Sequence, residues 1–190
     1  MKIVYYRALM KRNTGLTANE RILYSFLLSK SIARAMGVFD PDGEHINEDD
    51  LGYYIEERGV PLVEMSKERI ARELSMSRRS VINAFRKFWE KGIIKDGIGE
   101  KILFVSSLIY KCGFFELLMN SGLNGELLIF YSYLVSKGER YGYSIDTFTS
   151  KLADDYGKTP NTISQYLKRL KAAGLTRRGA DGRLDIEFPI

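Results

Sequence analysis

Between Ser77 and Val105 the chain lines up side chains that hydrogen-bond to nucleic acid at helical spacing. Val81, Phe85 and Phe88 recur at i, i+4 and i+7, the period of a buried helical stripe, and Ser77 stands before them as a capping residue. The opposite face carries Arg79, Ser80, Asn83, Arg86 and Lys87, with Arg78 beside the cap. Guanidinium, amide, hydroxyl and ammonium groups in one row suit a helix that lies in a DNA groove. Gly92 stops this helix, Ile93 and Ile94 begin a strand, and Asp96-Gly97 is expected to turn it back onto a partner strand from Glu100 to Val105. The expected unit is a helix, a tight stop and a two-stranded hairpin.

The same template recurs from Thr159 to Phe188, and the two stretches align without a gap. Thr159 takes the cap, Pro160 the first helical position, and Ile163, Leu167 and Leu170 the buried stripe. Its outer face carries Asn161, Thr162, Gln165, Lys168 and Arg169. Gly174 ends the helix, and Arg177, Arg178 and Arg183 surround a basic hairpin tip before Leu184, Ile186 and Phe188 alternate with period two.

The elements that must position these faces are duplicated as well. Thr17 and Glu20 stand at capping-box spacing before Ile22, Leu23, Phe26 and Leu27, which share one helical face. Their counterparts are Ile129, Phe130, Tyr133 and Leu134. Of the fifteen positions from Leu16 to Lys30, seven are identical in Leu123 to Lys137, at an offset of 107. Later elements match at an offset of 82, Ile70 with Leu152, so the first copy holds 25 additional residues. They fall at about 37–64 and include the acidic stretch from Asp40 to Arg58, expected as a solvated loop or hairpin. Val60 to Met65 and Tyr143 to Ile145 are expected to add a short strand to each hairpin. Ser66 to Leu74 and Phe148 to Tyr156 are expected as helices, with Ala71 and Ala153 allowing the next helix to cross closely. Ser75-Met76 and Gly157-Lys158 are short enough for a helix-turn-helix, and serine suits the left-handed turn position less well than glycine. The expected division is a first domain over 1–108 and a second over 109–190.

Composition narrows the function classes. The acidic stretch holds a net charge of −7 in a chain that totals +5, which leaves +12 on the remainder and favours a polyanionic partner. Apolar runs are too short to span a membrane, and no leader pattern opens the chain, so a cytoplasmic protein is expected. Cys112 is the only cysteine and His45 the only histidine, which rules out an internal disulfide and argues against a zinc site. Asp40-Pro41-Asp42-Gly43-Glu44 fails as a calcium loop because Val38 would fall at the first ligand position. No phosphate-loop or nucleophile signature is present, so neither catalysis nor a cofactor is expected.

The order helix, strand, helix, turn, helix, hairpin, present twice, resembles the winged helix-turn-helix superfamily. The implied fold is mostly α with small β-wings, in two tandem winged-helix domains. The first copy, through Leu16-Thr17, Ile22-Leu23-Tyr24, the acidic insertion and Ser77-Arg78-Arg79-Ser80-Val81, also resembles the N-terminal domain of plasmid and phage replication initiators. The resemblance implies specific binding of double-stranded DNA in replication initiation or control, with a transcriptional regulator as alternative and a protein-interaction scaffold as a further one. A homodimer or replication and transcription proteins would be partners. In winged helices the third helix enters the major groove and the wing meets the backbone or minor groove. Arg79 and Asn161 are then the base-edge candidates, since arginine can bond guanine and asparagine adenine in bidentate fashion, with Asn83 and Gln165 next. Ser80, Thr162, Arg86, Lys87, Lys168 and Arg169 would hold phosphates, and Lys95, Lys101, Arg177, Arg178 and Arg183 would meet the backbone from the wings.

Overall fold

The computed structural model describes residues 3–11, 15–39, 59–97, 99–103 and 113–188. The acidic stretch from Asp40 to Arg58, Cys112, the end of the first hairpin at Phe104 and Val105, and nearly all of the expected boundary after it lie outside the described residues. The chain is helical for the larger part, with small antiparallel sheets.

An N-terminal strand β1 (Ile3–Tyr6) and a single turn α1 (Ala8–Lys11) precede the first repeat. Helix α2 (Ala18–Phe39) opens that repeat, and from Arg21 to Leu28 every side chain is buried, as befits a helix packed on all sides. Strand β2 (Val60–Pro61) follows, and Pro61, which has no backbone N–H to donate, is tolerated because β2 lies at the edge of its sheet. Ser31 Oγ accepts from the Val63 N–H at 3.2 Å, which ties the chain after β2 to α2. Helix α3 (Lys67–Glu73) is capped by Ser66, whose Oγ accepts from the Arg69 N–H at 3.2 Å. Helix α4 (Arg78–Glu90) is capped the same way by Ser77, from the Ser80 N–H at 3.1 Å. It buries Val81, Ala84 and Phe88, whereas Phe85, expected in the same stripe, is only half-buried. Strands β3 (Ile94–Asp96) and β4 (Lys101–Leu103) close the repeat as a hairpin, in the sheet order β2-β4-β3.

The reversal expected at Asp96-Gly97 is present but begins after Asp96, which is still paired. Asp96 pairs with Lys101, the Gly97 N–H donates to the Glu100 carbonyl at 2.7 Å, and the left-handed position falls on Gly99 at φ 81°. Asp96 stays in the strand, so the reversal lies between the paired Asp96 and Lys101.

The second repeat begins with β5 (Phe114–Leu117), which the sequence reading did not anticipate. It pairs antiparallel with β1, Ile3 opposite Leu117 and Tyr5 opposite Phe115, and burial alternates along β5. Helix α5 (Gly125–Gly138) is buried from Leu127 to Val135 and matches α2 as the central helix. After it come β6 (Ser144–Ile145), α6 (Thr149–Tyr156), α7 (Pro160–Ala172), β7 (Thr176–Arg178) and β8 (Leu184–Ile186), with sheet order β6-β8-β7. The order helix, strand, helix, helix, strand, strand, and the central placing of the last strand in each sheet, thus occur twice. One correction to the gapless alignment arises at the hairpins. Ile94 faces Leu103, but Thr176 faces Ile186, so the second tip spans 179–183 and is one residue longer than 97–100.

Compact units do not divide as expected. Residues Met1–Ala18 cluster with Phe114–Ile190, and Asn19–Gly113 form the other unit, because the β1–β5 ladder ties the N-terminal segment to the second repeat. In the unit containing the second repeat, Tyr5, Phe115, Phe130, Tyr131, Tyr156 and Leu170 lie in the core. In the other, Phe26, Ile70, Val81, Phe88, Ile94 and Leu103 do so.

The turn before each capped outer helix is the same device made from different residues. The Met76 N–H reaches the Ala71 carbonyl at 2.9 Å, and the Lys158 N–H reaches that of Ala153 at 3.0 Å. Both turns need a left-handed residue, and Ser75 (φ 52°) stands where Gly157 (φ 73°) does. A side chain pays a steric penalty there that glycine avoids. Ser75→Gly is therefore expected to raise stability by about 0.5–1 kcal/mol and Gly157→Ala to lower it by about 1 kcal/mol, read from denaturant midpoints. A destabilised Ser75→Gly would show that the serine is unstrained.

Candidate nucleic-acid interface

Four hydrogen-bonded ends aim the outer faces of α4 and α7. At the N-termini, Ser77 and Thr159 accept from Ser80 and Thr162, at 3.1 and 3.3 Å. The hydroxyl pairs are also in contact, Ser77 with Ser80 at 2.8 Å and Thr159 with Thr162 at 2.9 Å. At the C-termini, Gly92 and Gly174 adopt φ 64° and 70°, and the next N–H turns back to Phe88 and Leu170 at 2.8 and 2.9 Å. Each helix is fixed at both ends, directly before its hairpin.

On α4, Arg79, Asn83 and Arg86 are exposed on one side. Arg86 Nη2 donates to Asn83 Oδ1 at 3.0 Å, which leaves the asparagine amide nitrogen as donor toward solvent. Arg78 pairs with Glu68 on α3, whose carboxyl is held below its usual range first by its backbone hydrogen bond and then by Arg78. Both partners are well exposed, so the pair contributes little and an incoming phosphate could replace Glu68. On α7, Asn161, Gln165, Lys168 and Arg169 are exposed, Thr162 is half-buried, and no acidic residue occurs from Pro160 to Ala172.

Other candidates are engaged in holding the fold. Lys87 Nζ meets Glu20 Oε2 at 2.7 Å, with side chains only 30% and 16% exposed, so this lysine ties α4 to the start of α2. Lys87→Ala is accordingly expected to cost about 1 kcal/mol of stability rather than to weaken DNA binding uniformly. A thermal melt unchanged from the parent protein would contradict that role. Arg183 is half-buried and donates from Nη2 to the Ser144 carbonyl at 2.7 Å, which fastens the hairpin to β6. Arg178 Nη1 reaches the Gly182 carbonyl at 2.5 Å across the tip, and Arg177 lies 3.5 Å from both Asp185 and Glu187. Both remain exposed. In the first hairpin Lys95 and Lys101 are exposed, and Lys101 Nζ lies 5.9 Å from the centre of the Trp89 ring.

The helix before each outer helix is tied to its repeat. Lys137 on α5 bonds Asp155 on α6, and Tyr133 Oη donates to the same carboxylate at 3.4 Å. Burial is the largest single influence on Lys137 and works against its charge, yet Asp155 and Tyr133 together outweigh it and hold the ammonium above its usual range. Phe148, at the cap position of α6, makes no side-chain capping bond and is 73% exposed, where the first repeat has Ser66.

Beside these faces lie positions the sequence did not single out as a site, half-buried Ile82, Phe85 and Trp89 in the first repeat and half-buried Ser164 and Leu167 with exposed Lys171 in the second. The signal available was Trp89, a large aromatic one helical turn from Phe85, at a position that the second repeat fills with lysine. No group of three or more histidine, cysteine or acidic side chains able to hold a metal ion occurs among the described residues, and no helix among them is long and apolar enough to cross a membrane. Comparison with protein-family models, with characterised proteins and with solved structures found no match.

Proposed function

We propose that this chain is a sequence-specific double-stranded DNA-binding protein made of two winged helix-turn-helix repeats, acting in replication initiation or control of a plasmid or mobile element. The observation that carries the reading is the outer face of α7, where exposed Asn161, Gln165, Lys168 and Arg169 project from a doubly fixed, acid-free helix directly before an arginine-rich hairpin. A helix of this width fits the major groove, where asparagine and glutamine can bond adenine edges and the cations can hold phosphates. Arg79 and Asn83 offer the equivalent chemistry on α4. Arg78 and Arg86 supply phosphate contacts there, and Lys95, Lys101, Arg177 and Arg178 supply them from the wings. Lys87 and Arg183 act as internal ties.

A transcriptional regulator would use the same surfaces, and the arrangement of half-sites separates the two roles. Duplex titration at a low and a near-physiological salt concentration tests the DNA reading itself. Affinity should fall steeply with salt, by about 0.9 in log K per log salt for each phosphate contacted. Binding that ignores salt would refute phosphate contact.

A further inference from the structure

Each repeat has a groove between its outer helix and its hairpin, and the two grooves differ in chemistry. In the first repeat the groove encloses about 1140 Å³, and half-buried Ile82, Phe85 and Trp89 line it. At the equivalent places, 82 positions on, the second repeat has Ser164, Leu167 and Lys171 around about 190 Å³. The rims differ too. Exposed Glu64, Glu90, Asp96 and Glu100 stand around the first groove, whereas Lys168, Lys171, Arg177 and Arg178 stand around the second, whose lining holds no acid.

Two of the three bases at the first groove are drawn over its rings. Lys67 Nζ lies 6.0 Å from the Phe85 ring centre and Lys101 Nζ 5.9 Å from that of Trp89, while Arg86 bonds Asn83. None of the four acids has an ion pair among the described residues. A phosphate backbone laid in this groove would meet more carboxylates than cations. The second groove presents the opposite field.

We propose that the groove between α4 and the β3–β4 hairpin is a docking site for a peptide segment of a partner protein, with a large apolar side chain seated against Phe85 and Trp89 and flanking lysines or arginines facing Glu64, Glu90, Asp96 and Glu100. Half-buried aromatic rings in a concavity are what an apolar anchor buries best. The acidic rim selects basic flanks by charge complementarity and steers their approach. The groove shares Arg86 and Lys101 with the phosphate contacts proposed for the first repeat, but its rings and acids are distinct from Arg79, Asn83 and the outer face of α7, so the docking site can fail or hold independently of the DNA reading.

Trp89 is the only tryptophan of the chain and therefore reports on this groove alone. A display library of random short peptides is panned on the full-length chain, with counter-selection on the triple variant Ile82→Ser, Phe85→Leu, Trp89→Lys, which carries the second repeat's residues. Enriched peptides are then labelled and titrated by anisotropy, with Trp89 emission followed in parallel. The expected winners pair an aromatic or aliphatic anchor with lysine or arginine and shift Trp89 emission. They lose about tenfold or more in affinity on Glu90→Lys/Glu100→Lys, the scale of a lost close charge pair. Both positions are exposed, so this second variant retains the fold even if the triple variant does not. Enrichment of acidic peptides, enrichment of none that depends on the groove, or an oligothymidylate that shifts Trp89 emission where peptides do not, would each overturn the proposal. The oligothymidylate result would assign the groove to single-stranded nucleic acid instead.

Discussion

Phe130→Ala is expected to remove about 3–5 kcal/mol from the stability of the unit that carries the second repeat. Phe130 lies fully buried on α5, with its ring centre 5.0 Å from that of Tyr156 on α6 and 5.4 Å from that of Tyr166 on α7. Truncation therefore withdraws a side chain that touches both helices preceding the hairpin, and it leaves a cavity that two large neighbours cannot close without leaving their own partners. Against a domain stability of about 5–15 kcal/mol, a loss on this scale shifts the unfolding midpoint strongly. Denaturant titration followed by near-ultraviolet circular dichroism reads it directly. A loss below about 1 kcal/mol would mean that the ring is not a packing centre.

The second large effect is expected at Asn161. Asn161→Ala should cost about 1–3 kcal/mol on a preferred duplex, roughly 5- to 150-fold in affinity, and flatten the preference at one base pair. Asn161 stands exposed in the first turn of α7, two positions after the capping Thr159, where a helix entering the major groove brings its side chains to base edges. Arg79→Ala should behave alike on α4. Lys168→Ala should instead weaken all duplexes by a similar factor and reduce the salt slope by about 1, because phosphates carry no sequence information. Competition titrations against a scrambled duplex distinguish these outcomes. Equal losses on both duplexes for Asn161→Ala and Lys168→Ala would refute the assignment of base and phosphate roles.

Local signals in the sequence located the outer helices well. Ser77 and Thr159 cap as their residue types suggest, Gly92 and Gly174 stop the helices in the left-handed conformation, and Ala71 and Ala153 are buried. Short-range rules settle such features because each depends on neighbours a few residues away. The β1–β5 ladder was not legible for the opposite reason. Its partners lie far apart in the chain, and alternation over four residues does not say which distant strand completes it. The additional residue in the second hairpin tip was hidden as well, since both tips are rich in glycine and the register is set by pairing Thr176 with Ile186.

Burial separated residues that composition had grouped. Lys87 and Lys168 both read as basic positions on an outer face, but Glu20 on α2 draws Lys87 inward while Lys168 remains exposed. Arg183 likewise reads as a hairpin cation and turns to the Ser144 carbonyl. Phe85 and Leu167 have core spacing, yet each lies at the edge of the buried stripe and lines the adjoining groove. Helical period identifies a face, and only the packing of the neighbouring strand decides how wide the buried part of that face is.

The most direct test of the account is selection from a randomised duplex library with the full-length chain, followed by titration of the selected sequence against a scrambled one. The account predicts enrichment of a two-part site, bound about 10³-fold more tightly than the control or better, with one half-site weakened by Arg79→Ala and the other by Asn161→Ala. Half-sites in direct repeat would favour an initiator and inverted half-sites a repressor. A library that yields no common sequence, with weak binding that disappears as salt rises, would contradict the claim that these two helices read DNA.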